Sequence, residues 1–156
     1  LGIALGLGDR GAAFEEAQRV YAEYRKGLAK YMNWLTGDPS VLRQKGHVVM
    51  VRGEGVIDEN MTGAISSLVS SSNLFGGSKV TLVVTSTKDG QAKVSARATD
   101  QLVAKGVNLG KILQDLSPNY GGNGGGHAIA AGATLESERL DKFLEEFGRI
   151  IDSVVS

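Results

Sequence analysis

The chain has 156 residues, 42% of them hydrophobic and 22% charged, which suits one buried core and excludes a disordered chain. Seventeen Lys and Arg balance seventeen Asp and Glu, so bulk positive charge cannot drive binding to nucleic acid or anionic lipid. Cysteine is absent, which excludes disulfides, thiolate metal sites and cysteine nucleophiles.

The opening run LGIALGLG is too short to span a bilayer and lacks the basic flank of a signal peptide. With Leu rather than Met in first place, the expectation is a cytoplasmic piece of a longer protein, with no membrane partner. Residues 12–35 then predict one long helix. Phe14, Ala17, Tyr21, Tyr24, Leu28, Tyr31 and Leu35 recur at alternating spacings of three and four, which puts them on one seam. Gly37 followed by Pro39 ends it. Such a seam serves either as ordinary core or as a docking face for a missing domain or a second copy.

Beyond that turn, HVVMVRG (47–53) is short, apolar and β-branched, hence a strand. Residues 62–76 read as a helix rich in small side chains. Residues 79–100 give two alternating runs around Lys88-Asp89-Gly90, a hairpin. Residues 107–117 predict a short helix capped by Asn108. A glycine-rich stretch, a short helix from His127, a strand at 133–135 and a last helix from Ser137 to Val154 complete the chain. The fold class that follows is α/β (α+β), a small mixed β-sheet flanked by helices with a long N-terminal connecting helix. The domain division expected is 1–40 for the end of a catalytic region and its connecting helix, and 41–156 for a binding domain.

The chemistry concentrates in GGNGGGHAIAAG, residues 121–132. Glycine costs conformational entropy, so this many together imply a use for bare backbone. A helix starting at His127 would aim unpaired N–H groups and a positive dipole end at one point, an anion site made of backbone. His127 could add a donor to a phosphate oxygen. The charge pattern agrees: from 79 to 111 six Lys/Arg face two acids, a net of +4 leading into the loop. The bland alternative is a flexible glycine loop with an incidental histidine, since neither the GxxxxGK[ST] nor the dinucleotide fingerprint fits.

The order of residues goes further. GGGHAIAAG (124–132) resembles the GGGHxxAAG signature of the DHH-associated domain, subfamily one, which closes DHH-superfamily phosphoesterases such as the archaeal RecJ-like enzymes. VSARA (94–98) resembles the family's strand with its Ser-x-Arg element, and VNLGKIL its following helix. The resemblance implies that Gly124, Gly125, Gly126 and His127 hold a substrate phosphate, while Arg97, supported by Ser95, makes a second contact. Alanyl-tRNA synthetases carry a related domain with arginine where this chain has His127, so the histidine points to the phosphoesterase branch.

The family's two metal ions are held by Asp and His of a DHH domain, and this chain has neither a DHH triplet nor Asp-x-Asp. Manganese or magnesium is therefore expected in that missing domain and no cofactor in this chain. No catalytic or metal-binding residue is expected here. The partners implied are single-stranded DNA or RNA, or a short oligonucleotide, and the DHH domain itself. Two other readings stay open: a non-catalytic scaffold among replisome proteins, in a helicase-associated complex, and the substrate domain of a small-nucleotide phosphodiesterase.

Overall fold

The computed structural model describes residues 6–37, 41–72 and 77–156. Contacts divide the chain into two compact units, Leu1–Gly37 and Asp38–Ser156. The described residues of the first form one helix, α1 (Gly6–Gly37), longer at both ends than the predicted 12–35. Of its predicted seam, Ala17 is exposed and Tyr31 buried. The side chains of Phe14, Tyr21, Tyr24, Leu28 and Leu35 lie outside the described set.

The second unit is built on a six-stranded sheet in the order β1-β2-β3-β4-β6-β5. Its strands are β1 (Leu42–Lys45), β2 (Val48–Arg52), β3 (Val80–Ser86), β4 (Ala92–Arg97), β5 (Asn123–Gly126) and β6 (Ala130–Leu135). Helices α2 (Thr62–Ser71), α3 (Asp100–Ala104), α4 (Leu109–Leu116) and α5 (Leu140–Val155) complete it. Only β2 and β3 pair in parallel, and α2 supplies the crossover that such a pair requires. All other neighbours are antiparallel. The sheet is mixed and helix-flanked, as the sequence predicts.

Strand alternation sorts the side chains into two faces. One face carries Val80, Leu82 and Val84 of β3, Val94 and Ala96 of β4, and Ala133 and Leu135 of β6, packed in the main core. Leu109, Leu113 and Leu116 of α4 and Phe143, Phe147 and Ile151 of α5 close over it. Spacings of three and four on α5 put its apolar residues on one stripe, and Phe143 stacks on Phe147 with ring centroids 6.3 Å apart. The opposite face is covered by α2, whose Ile65 and Val69 are buried along with Val49, Val51 and Val83. This cover is partial. Helix α2 packs on β3 and β4, and the outer strands β6 and β5 extend past it.

His47 joins β1 to β2 and donates to Asp152 Oδ1 from its backbone N and from Nδ1, both at 2.9 Å. These bonds hold the Asp152 carboxyl below the usual carboxylate range. The histidine is a tie between the β1–β2 turn and the last helix.

Candidate functional site

The glycine stretch is not a loop before a helix. Asn123–Gly126 form β5, paired with β6 in the register Gly124↔Ala133, Gly125↔Gly132 and Gly126↔Ala131. The helix expected from His127 does not exist. The His127 backbone N donates to Ala130 O at 2.8 Å, closing a tight turn, and β6 runs on to Leu135 paired along its length with β4. Six ladder pairs to a central strand outweigh the helix propensity of the alanines.

The helix end that does lie beside the turn is α4, and its donors are spent. Leu109 N and Gly110 N donate to Ala128 O and His127 O, each at 3.0 Å. Lys111 N is taken by the Asn108 side chain at 3.2 Å and Ile112 N by Asn108 O at 3.0 Å. A helix start with every early N–H paired has nothing left for an anion, so α4 does not replace the helix-start site expected at His127. What α4 does instead is clamp the turn. Replacing Asn108 by Ala should cost about 0.5–2 kcal/mol by freeing the Lys111 N–H. An unchanged urea midpoint would show that the cap contributes nothing.

The glycines divide by parity. A Cβ on Gly124 would meet Ala133 Cβ and Ser117 Oγ at 2.8 Å each, and one on Gly126 would meet Ala131 Cα at 2.7 Å. Gly110 on α4 has the same character, its Cβ falling 2.4 Å from Gly126 O. These three let helix and hairpin approach closely. Gly125 differs: nothing lies within 4 Å of its Cβ position.

Cross-strand register shows what surrounds Gly125. Ser95, Gly132 and Gly125 stand in one row across β4, β6 and β5. Arg97 and Ala130 form the next row toward the turn, and Lys93, Thr134 and Asn123 the row on the other side. All belong to the face that α2 leaves partly open. Its middle is bare backbone, because Gly132 and Gly125 contribute no side chain. Ser95 Oγ donates to Thr62 Oγ1 at 3.2 Å, which joins this row to the first turn of α2. Arg97 is half-buried and makes no ion pair or side-chain hydrogen bond among the described residues. The turn is pinned next to it, since Ala98 N donates to Ile129 O at 2.8 Å. His127 is exposed in that turn.

Of the six residues expected in the site, the sheet brings Ser95, Arg97 and Gly125 onto one open face. His127 stands at its end, and Gly124 and Gly126 are packing positions. Sequence reading did not place Ala130, Gly132 and Thr134 beside Ser95, Arg97 and Gly125, because AIAAGATL has no apolar/polar alternation to mark a strand and its faces. The positive segment 79–111 is also dispersed. Lys79 donates to Gly46 O at 2.5 Å, Lys88 sits in the hairpin turn, and Lys111 lies on α4 of the other face, 3.5 Å from Asp115. Only Lys93 and Arg97 from that segment project onto the open face.

The family model of the DHHA1 domain matches residues 45–153, taking in every strand and helix of this site. This chain belongs to the DHHA1 family. An uncharacterised protein of Methanocaldococcus jannaschii is 40% identical over 60 residues, 38% of this chain and 14% of that protein. The alanine–tRNA ligase of Myxococcus xanthus is 34% identical over 68 residues, 43% of this chain and 8% of the ligase. The chain thus spans a small part of the curated relatives it matches. A pGpG-specific phosphodiesterase from Vibrio cholerae shares the fold, with a TM-score of 0.57, 14% identity, and coverage of 97% of this chain and 45% of that one. A helix long and apolar enough to cross a membrane is absent among the described residues.

Proposed function

We propose that this DHHA1 domain positions the phosphates of a single strand or short oligonucleotide for a RecJ-like DHH phosphoesterase domain. The observation that carries the reading is the open face: a floor without side chains at Gly125 and Gly132, flanked by the Arg97 guanidinium, which has no partner among the described residues. A phosphodiester backbone can lie against such a floor, and guanidinium meets phosphate through two charge-assisted hydrogen bonds. Ser95, held by Thr62, lines the floor, and His127 offers a further donor from the turn. Gly124 and Gly126 serve indirectly, by shaping the hairpin.

Hydrolysis belongs to the partner domain in this reading. Among the described residues no three His, Asp or Glu side chains gather to hold a metal ion. Manganese or magnesium would be bound by the DHH domain, and no chemical step is assigned to this chain. The likeness to an alanine–tRNA ligase favours a second reading, in which the same face holds RNA without any cleavage. The readings share a phosphate-binding face and part over the length and sugar of the strand.

The test is a titration of the chain with a dinucleotide and with long single strands of DNA and RNA. His127→Ala should weaken binding by about 0.5–1.5 kcal/mol and leave the melting curve in place. With about two phosphate contacts, log affinity should fall against log salt with a slope of roughly −1.4. Binding that ignores both the substitution and the salt would put the ligand elsewhere.

A further inference from the structure

The three rows of the open face are not equivalent, and the one farthest from the turn carries polar groups that the reading above does not use. Lys93 stands four residues before Arg97 on β4, on the same face, which separates their Cα atoms by about 13 Å. Ser95 and the bare pair Gly132 and Gly125 lie between them. Two cations thus bracket a floor that has no side chains to obstruct a ligand.

Lys93 is held in place. Its Nζ donates to Glu59 O at 2.6 Å, and Thr62 Oγ1 donates to the same carbonyl at 3.2 Å. Through Thr62 this carbonyl is linked to Ser95 as well. The acceptor is neutral, so the bond positions the ammonium without cancelling its charge, and two of its three donors remain for other partners. Next to it, across β6 and β5, stand Thr134 and Asn123. Neither side chain has a hydrogen bond among the described residues, and Asn123 is exposed. An ordered ammonium beside an uncommitted hydroxyl and an uncommitted amide makes a ready recognition surface for an anionic oxygen.

We infer that Lys93, Thr134 and Asn123 form a second phosphate subsite, so that the face holds two phosphates of one ligand, one on Arg97 and the other on Lys93. The inference rests on the phosphate-binding reading of Arg97 and Gly125. The intervening nucleoside lies across Gly125 and Gly132. The carbonyl that holds Lys93 belongs to an acid, Glu59, so the second subsite suits a diester with one negative charge better than a terminal phosphate with nearly two. The terminal phosphate therefore goes to Arg97, and the internal diester to Lys93.

The experiment is an amide-resolved NMR titration of the chain, which reads weak binding residue by residue. The probes are a nucleoside 5′-monophosphate and a 5′-phosphorylated dinucleotide. The dinucleotide should bind about tenfold more tightly and shift the amides of Thr134 and Asn123 together with Gly125. Lys93→Met should remove that gain and leave monophosphate affinity unchanged, whereas Lys93→Arg should keep it. Asn123→Ala, at an exposed edge position, should reduce the gain without touching the fold. If the dinucleotide gains equally with Lys93→Met, or shifts only Gly125, Gly132 and His127, the second subsite is wrong and the first reading stands. If neither ligand shifts any of these amides, both fall.

Discussion

Gly126→Ala is expected to destabilise the domain by about 2–6 kcal/mol, a large part of the 5–15 kcal/mol that holds a typical domain together. Two independent costs add. The residue has φ +144°, a conformation that L side chains rarely adopt, worth about 1–3 kcal/mol of strain. The new Cβ would also lie 2.7 Å from Ala131 Cα and 2.8 Å from Ala130 O, and forcing extra atoms into a packed place costs about 1–3 kcal/mol. The strand cannot escape by moving toward α4. Gly126 O already sits 2.4 Å from where a Cβ of Gly110 would be, and Gly110 N is bonded to His127 O. Urea denaturation of the variant beside the parent chain measures the loss. A change below about 0.5 kcal/mol, the range of an ordinary surface substitution, would mean that the turn relaxes freely and the clamp has no energetic meaning.

The same contacts explain why the sequence was legible in some places and misleading in others. β2, the β3–β4 hairpin and α5 carry their own periodicity: β-branched alternation in the strands, and Phe143, Leu144, Phe147 and Ile151 at helical spacing. Asn108 was readable because an N-cap is a local interaction, and its side chain does accept from Lys111 N. β1 was not, since Arg43, Gln44 and Lys45 are exposed on an edge strand where no alternation is required. β5 was hidden for a different reason. Glycine has no strand preference, and Asn123–Gly126 is a strand only because β6 and α4 accept a chain without side chains there.

The site was half legible on the same grounds. Glycines read together as an opening for ligand divide along the strand into close-packed positions, Gly124 and Gly126, and an unobstructed one, Gly125. Charge read along the chain suggested one positive surface, whereas the sheet and α4 send those residues to different faces. Parity of this kind becomes visible only with the register known, since a shift of one residue would exchange the two faces.

Gly125→Val should therefore separate binding from stability more cleanly than any other change. Its Cβ would meet nothing within 4 Å, and its φ is not in the left-handed region, so neither a clash nor strain arises. Valine suits an extended strand, and the melting temperature should stay the same or rise slightly. The branched side chain would nevertheless stand on the floor beside Gly132 and Ser95, filling the space through which a phosphate backbone approaches. Affinity for a 5′-phosphorylated strand should fall at least about tenfold, comparable with the 1.5–3 kcal/mol expected for losing the charge-assisted bonds of Arg97 in Arg97→Ala. If both residues hold the same ligand, the double variant should lose less than the sum of the two single losses, because a ligand already displaced has no guanidinium contact to forfeit. Wild-type affinity in Gly125→Val with an unchanged melt would remove the ligand from this face altogether. Strict additivity of two large losses would place the two residues in separate sites, and the bare floor would then be a packing surface beside an unrelated arginine.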